Sequence, residues 1–384
     1  MRLLIAGGGT GGHIFPALAV ARSLRDRPAA PELIWLGGYR GFERSLVPPS
    51  GIRLRRLALR SLRSAGRDIH LLLDPLRLAV AVPQATAIIA RLRPAAIFTT
   101  GGFVAIPTLL AAAPLRIPVV LWDGNVRPGR SVRVTAPLAD VLAVSFTSTC
   151  AALVGAGKPC YVTGTPIRDV GGIDRERARE LLDLPVDARV VFVFGGSQPV
   201  RRLNAAVAGA LPRLVERFHV VHVTGDYGYA EAVANQAQLP PDVRDRYRPY
   251  RFLGEEMLAA LAAADLVVGR AGSSTLAEVS ALGVPMVVVP YPHAAGHQRA
   301  NAEALVAAGA ARLVEDEAFD SAALIEATAL IDNAATRDRM AAAARSLSRP
   351  GAAEAVAELV MATAERRALP DPAAIDRLSR RATA

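Results

Sequence analysis

The fold is decided at the start of the chain, in Arg2-Leu3-Leu4-Ile5-Ala6-Gly7-Gly8-Gly9-Thr10-Gly11-Gly12-His13. A short apolar run without polar alternation reads as a strand buried on both faces. The glycines make a tight turn, and Pro16–Leu24 continues as a helix. Strand, glycine turn and helix open a doubly wound α/β sheet, in which backbone N–H groups approach an anion at the helix N-terminus. The same order returns at Val190–Phe194, Gly195-Gly196-Ser197-Gln198 and a helix carrying Asn204.

Working outward, further apolar strands are expected at Leu33–Leu36, Ala96–Thr99, Pro118–Leu121, Val141–Val144 and Tyr161–Thr163, with a helix at Ala85–Arg93. Gly164-Thr165-Pro166 interrupts this rhythm. A helix near Arg175–Leu182 then leads into strands at Val190–Phe194, Val220–Val223, Leu266–Val268 and Met286–Val289. The pattern predicts an α/β protein of two doubly wound parallel-sheet (Rossmann-like) domains facing across a cleft. The expected boundaries are 1–163 and 164–349, with a helix over 350–368 packing back on the first domain and a loose tail over 369–384.

Composition agrees with two cores. The 384 residues are 52% hydrophobic and 21% charged, with mean hydropathy +0.27, which excludes a disordered chain. Cys150 and Cys160 are too few for a disulfide framework or a cysteine-rich zinc site, so a reduced cytosolic protein is expected. The uncharged stretch 95–115 is broken by Gly101-Gly102, Pro107 and Pro114, and no membrane span is expected. Residues 1–165 hold 20 basic and 7 acidic side chains, a net of +13, whereas 166–384 hold 25 and 28, a net of −3. Arg53, Arg55, Arg56, Arg60 and Arg63 interleave with leucines and precede Leu72, Leu73 and Leu76. This is either a surface for anionic lipid or a solvated face. Nucleic acid is not expected, because this arginine run lacks aromatics to stack on bases.

Several motifs point to chemistry. The spacing Gly7, Gly9, Gly12 would suit a dinucleotide, but the second strand ends Leu36-Gly37-Gly38-Tyr39-Arg40, with no acid for the ribose. His13 closes the turn as a candidate general base, an oxyanion donor or a helix-terminus contact. Arg270-Ala271-Gly272-Ser273-Ser274-Thr275-Leu276-Ala277-Glu278 follows a strand. Its helix start suits a diphosphate, and Glu278 either grips two ribose hydroxyls or completes a capping box with Ser274 or Thr275. Gln298 and Asn301 share a helix face whose amides suit sugar hydroxyls. His293 and His297 have no third ligand nearby in sequence, so no metal is expected, and Glu315-Asp316-Glu317 reads as a solvated loop.

Gly8–His13, Gly164–Arg168, Gly195–Gln198 with Asn204, Arg270–Glu278 and His293 through Asn301, in this order, resemble the MurG family, the N-acetylglucosaminyltransferases of peptidoglycan synthesis. The resemblance spans residue 1 to about 350. It implies the two-domain GT-B fold and inverting hexosyl transfer without metal or other cofactor. The implied donor is UDP-N-acetylglucosamine and the acceptor an undecaprenyl-diphosphoryl-muramoyl-pentapeptide (lipid I), giving lipid II. A peripheral place on the cytoplasmic face of the cell membrane follows, with an anionic membrane surface as partner.

By position, the resemblance implies that Glu278 holds the ribose and the Leu253 backbone pairs with uracil. Arg168, Ser197 and Thr275 would bind the diphosphate region, with Gly196, Gln198, Asn204, Arg270 and Ser274 around the donor, and Gln298 and Asn301 would read the sugar. Gly8, Gly9, Thr10, Gly11, Gly12, Phe103 and Asn125 would line the acceptor side, with Thr10, Gly11, Gly12 and Asn125 also reaching the donor, and His13 would be the base. This chain departs from the family pattern at Trp122-Asp123-Gly124 (His-Glu-Gln), Phe103 (Tyr), Thr165 (Asn), Ile167 (Val) and Pro199-Val200 (Gly-Ala). Asp123 therefore stands beside His13 as a second candidate base. The alternatives are a related UDP-sugar transferase with another glycolipid acceptor, a UDP-sugar 2-epimerase, or a non-catalytic membrane-surface protein.

Overall fold

A computed structural model describes residues 1–60, 70–196, 200–254, 256–294 and 296–381. Arg63, Ser197 and Gln198 of the expected sites lie outside these residues. The chain divides into two compact units, Met1–Arg168 together with the segment from Arg349, and Asp169–Ser348.

The N-terminal unit runs β1 (Arg2–Ala6), α1 (Gly11–Arg25), β2 (Glu32–Arg40), α2 (Glu43–Leu46), β3 (Arg53–Arg60), α3 (His70–Leu92), β4 (Ala96–Thr99), α4 (Gly102–Ala112), β5 (Val119–Asp123), α5 (Arg130–Thr135), β6 (Val141–Val144), α6 (Thr147–Ala152) and β7 (Cys160–Val162). Its seven strands lie in the order β3-β2-β1-β4-β5-β6-β7, all parallel. Side chains alternate between the sheet faces: Leu3 and Ile5 join one core layer, Leu4 and Ala6 the other.

The C-terminal unit runs α7 (Arg175–Leu181), β8 (Val190–Phe194), α8 (Arg201–Arg217), β9 (His219–Val223), α9 (Gly225–Ala237), β10 (Tyr247–Tyr250), α10 (Glu256–Ala263), β11 (Leu266–Gly269), α11 (Ser273–Leu282), β12 (Met286–Val288), α12 (His297–Ala307), β13 (Ala311–Leu313), α13 (Ser321–Asp332) and α14 (Ala334–Leu347). The chain then returns to the first unit with α15 (Ala352–Ala364) and α16 (Pro372–Arg380). The second sheet is β10-β9-β8-β11-β12-β13, again parallel. Pro249 is tolerated in β10 because that strand is an edge. In each sheet the order reverses beside the first strand, between β1 and β4 and between β8 and β11. Such switch points open a crevice at the carboxyl ends of the strands, where the two glycine turns lie.

Three expectations change. Residues 370–381 are not a loose tail. Asp371 caps α16 by accepting from the Ala373 N–H, Pro372 opens it, and Ile375 is buried. Arg349 fastens the helix through Ser379 Oγ at 2.6 Å and Asp376 at 2.7 Å, and Tyr161 donates to the Pro370 carbonyl. Cys150 and Cys160, expected as reduced thiols, form a disulfide between α6 and β7. The β6–α6–β7 connection brings their Cα atoms to 5.8 Å, a distance that allows a bridge without any disulfide framework. Finally, the arginine-rich run is not one surface segment. Arg53–Arg60 is an edge strand with Leu57 and Leu59 turned into the core, whereas Leu72, Leu73 and Leu76 belong to α3. Period-2 alternation holds only over the second half of the strand, where buried Leu57 and Leu59 flank exposed Ala58, while Arg53, Arg55 and Arg56 are exposed nearer its start.

Candidate active site

The glycine turn after β1 is held at three points. Trp35 Nε1 donates to the Gly7 carbonyl at 2.8 Å, and Glu43 Oε2 accepts from the Gly9 N–H at 2.9 Å. Thr100 Oγ1 donates to the His13 carbonyl at 2.9 Å. Gly9 has φ +92°, a value that favours glycine. Thr10 is the N-cap of α1 but makes no side-chain cap, and the first turn carries no acid. The positive end of the helix is therefore presented by the backbone of Gly11 and Gly12.

His13 is half-buried, and its Nδ1 lies 2.7 Å from the Thr100 carbonyl oxygen. A carbonyl only accepts, so Nδ1 carries the proton and Nε2 carries the lone pair of the neutral ring. The ring packs on Gly102 (φ +74°), where a Cβ would lie 3.3 Å from Cδ2. Thr99-Thr100-Gly101-Gly102 is thus the partner of the first glycine turn, reached across the switch point from β4, and Thr100 was not singled out from the sequence. Phe103 packs on Gly38, where a Cβ would meet its ring edge at 2.8 Å.

Asp123, the second candidate base, closes β5 and orders the loop that follows it. It is 4% exposed. Oδ1 accepts from the Asn125 N–H at 3.0 Å and the Asn125 amide at 2.8 Å, and Oδ2 accepts from the Gly129 N–H at 2.9 Å. Thr149 Oγ1 on α6 donates to the Asn125 carbonyl at 2.7 Å. Both carboxylate oxygens accept hydrogen bonds that close the 123–129 loop and orient Asn125. Arg168 lies over the Phe15 ring, 5.9 Å from its centroid.

In the C-terminal unit, Gly196 is exposed with φ +61°. Asn204 faces inward. Its amide donates to the Thr224 carbonyl at 2.9 Å, and its Oδ1 lies 3.0 Å from His222 Nε2, whose Nδ1 meets the Tyr247 hydroxyl at 2.9 Å. Burial pushes the fully enclosed His222 down to about 3 and raises the Tyr247 hydroxyl. Asn204 therefore holds the core behind the second glycine turn. Leu253 is buried in the adjoining core, which fixes the backbone of its turn.

The 270–278 segment is shaped from below. Gly272 is the N-cap of α11 and offers no side chain, so the capping-box reading of Glu278 fails; Glu278 lies six positions into the helix and is buried. Ser274 Oγ is buried at the helix start with no hydrogen-bond partner among the described residues. Arg270, 4% exposed, donates to the Val289 carbonyl and pairs with Asp316, which Arg202 also approaches at 3.3 Å. Asp316 is thus an anchor rather than part of a solvated loop.

Gln298 and Asn301 on α12 both grip Ala271. Gln298 Oε1 accepts from the Ala271 N–H at 3.2 Å and from the Tyr291 N–H at 2.9 Å, and the Asn301 amide donates to the Ala271 carbonyl at 3.4 Å. The expected sugar-facing pair therefore also holds the loop that precedes α11.

Residues 3–144 match the glycosyltransferase family 28 N-terminal domain and residues 190–359 the family 28 C-terminal domain. The UDP-N-acetylglucosamine--N-acetylmuramyl-(pentapeptide) pyrophosphoryl-undecaprenol N-acetylglucosamine transferase of Moorella thermoacetica is 37% identical over 377 residues, covering 95% of this chain and 100% of that protein. The crystal structure of Acinetobacter baumannii MurG is 27% identical with a TM-score of 0.73, covering 94% of this chain and 99% of the other. A UDP-N-acetylglucosamine 2-epimerase structure also aligns, covering 96% and 99% with a TM-score of 0.66. At 15% identity that likeness extends to the fold alone.

Proposed function

The chain belongs to glycosyltransferase family 28 and, within it, to the MurG family, and from that premise we propose that it transfers N-acetylglucosamine from UDP-N-acetylglucosamine to the muramoyl 4-hydroxyl of lipid I. The observation that carries the proposal is the match of both halves of the chain to the family, with the whole length of the relative covered. Within its own sheet, each glycine turn and the start of α11 follow the carboxyl end of a strand beside the switch point, which supports this reading.

His13 Nε2 takes the proton from the acceptor hydroxyl, and the oxygen attacks the anomeric carbon of the donor. The bond from that carbon to the diphosphate oxygen breaks on the opposite face, so the configuration inverts and UDP leaves with the bonding electrons. The Nδ1–H bond to the Thr100 carbonyl sets the tautomer and steadies the imidazolium that forms. The N-terminus of α11, uncapped by any side chain, takes the charge developing on the diphosphate. Glu278 accepts from the ribose hydroxyls. Asp123 shapes the loop carrying Asn125, so the departure from the family pattern here alters loop closure rather than the proton acceptor.

We further propose a peripheral place on the cytoplasmic face of an anionic membrane. No helix among the described residues is long and apolar enough to cross a membrane. Leu76 and Val80, one turn apart on α3, are 63% and 57% exposed, and the neighbouring edge strand β3 carries exposed Arg53, Arg55 and Arg56. Apolar side chains beside guanidinium groups suit an anionic headgroup layer.

The test is to incubate the protein with UDP-N-acetylglucosamine and a lipid I analogue, following UDP release and product mass. One added N-acetylglucosamine per acceptor is expected. UDP release with another glycolipid but none with lipid I would overturn the acceptor, and a C2-epimerised UDP-sugar formed without acceptor would overturn transfer altogether.

A further inference from the structure

We infer that Glu43 is a positioning residue for the transfer, a buried carboxylate that sets the glycine turn carrying His13. It opens the short α2 and is fully buried. Its two oxygens divide their work between segments far apart in sequence: Oε2 takes the Gly9 N–H at 2.9 Å and Oε1 takes the Gly38 N–H at 2.7 Å. A buried carboxylate is costly unless hydrogen-bonded, and here backbone groups from two loops supply the bonds.

The surrounding glycines fit this one side chain. A Cβ on Gly8 would lie 2.6 Å from Oε1, one on Gly37 would lie 2.8 Å from Cγ, and one on Gly41 would collide with Oε2. Gly8, Gly37 and Gly41 are therefore small because Glu43 occupies the space a side chain would need. The N–H of Gly9 serves the protein's own carboxylate and is not offered to a substrate phosphate. An external anion is left with the start of α1 at Gly11 and Gly12, where neither a cap nor an acid competes. With Trp35 on Gly7 and Thr100 on His13, Glu43 is the middle of three ties that fix where the imidazole stands. The same carboxylate couples the turn to the segment after Gly38 that bears the exposed Tyr39 and Phe42.

This inference rests on the proposed transfer, and the experiment separates the two. The full-length protein and its E43Q variant are assayed with UDP-N-acetylglucosamine and a lipid I analogue, together with UDP affinity and thermal unfolding. Glutamine keeps the shape but presents an NH2 group to one of the two backbone donors. A displacement of the base by a fraction of an ångström to one ångström costs up to about a hundredfold in rate. E43Q should lower kcat by about ten- to a hundredfold while UDP affinity changes less than about threefold. Leu109→Ala, a core substitution in the same unit, controls for stability and should keep kcat at a comparable melting temperature. Glu43→Asp, one methylene shorter and still anionic, should recover part of the rate, and it serves as the test if E43Q does not fold.

An inactive wild type would overturn the proposed transfer. An active wild type with E43Q or Glu43→Asp at full kcat would overturn the positioning role. Equal losses in the variant and the stability-matched control would overturn it as well, reducing Glu43 to a packing residue.

Discussion

Gln298 separates two roles that its position allows, reading the donor sugar and holding the loop before α11. Its Oε1 is the acceptor for two backbone N–H groups, Ala271 at 3.2 Å and Tyr291 at 2.9 Å, and the residue is 8% exposed. Gln298→Ala strands both donors. A buried unsatisfied N–H costs about 1–3 kcal/mol. Ala271 is fully buried whereas Tyr291 is half-buried and can be rewetted, so a loss of about 2–3 kcal/mol is expected. For a unit of this size that is roughly 5–10 °C in the melting temperature. Because Ala271 precedes the N-cap of α11, loosening it also lowers the population of the diphosphate-binding form. A tie worth about 1.4 kcal/mol there weakens UDP roughly tenfold. UDP lacks the sugar, so its affinity reports the loop alone. Gln298→Glu keeps an acceptor for both N–H groups and should hold the melting temperature, while its added charge weakens UDP. The assay is calorimetric titration with UDP and with UDP-N-acetylglucosamine, beside thermal unfolding. If Gln298→Ala left the melting temperature and UDP affinity unchanged and weakened only UDP-N-acetylglucosamine, the loop-holding argument would be refuted.

Glu278→Ala should weaken UDP by about ten- to a hundredfold, the size of one or two charge-assisted hydrogen bonds, with the helix intact because Gly272 is its cap; unchanged UDP affinity in titration would remove Glu278 from the ribose. Burial holds His222 at about 3 against 6.5 unfolded. Between those values only the unfolded chain takes up the proton, so stability present above about pH 6.5 is lost as the pH falls toward 3, by about 1.4 kcal/mol per pH unit. Urea unfolding of the wild type should therefore lose about 2 kcal/mol more between pH 6.5 and about pH 5 than His222→Gln does, and parallel slopes would contradict this. Leu76→Glu with Val80→Glu should cut sedimentation with anionic vesicles by at least about tenfold, since each buried aliphatic side chain is worth about 1.5–3 kcal/mol. Unchanged sedimentation would return α3 to ordinary surface.

The strands and turns at the switch points were legible because each is a short, uninterrupted apolar run ended by glycine, as at Leu3–Ala6 and Val190–Phe194. The edge strands β3 and β10 were not: one is crowded with arginine and the other contains Pro249, so neither has the composition of a buried strand. The α16 helix was missed although Asp371-Pro372 is a start signal, because its core-facing side joins only Ile375 and Leu378 to a buried serine, Ser379, a short stripe of mixed polarity. Among the site residues, His13 stood out through its glycines, but Glu43 did not. It lies 34 residues from the Gly9 N–H it accepts, and nothing local marks a carboxylate that folding will bury.

Residue pattern alone determined the architecture of two parallel α/β sheets, the place of the glycine turns at strand ends, and, through five ordered motifs, the family. Those properties depend on periodicity and on residue types whose backbone preferences are local. Only the tertiary structure decided what each polar side chain touches. Asp123 closes a loop, Asn204 supports a core with His222, Gln298 and Asn301 clasp Ala271, and Cys150 meets Cys160. Asp123 finds its partners within its own loop, but the other pairings depend on which segments folding brings together, a distance relation that residue spacing along the chain does not contain.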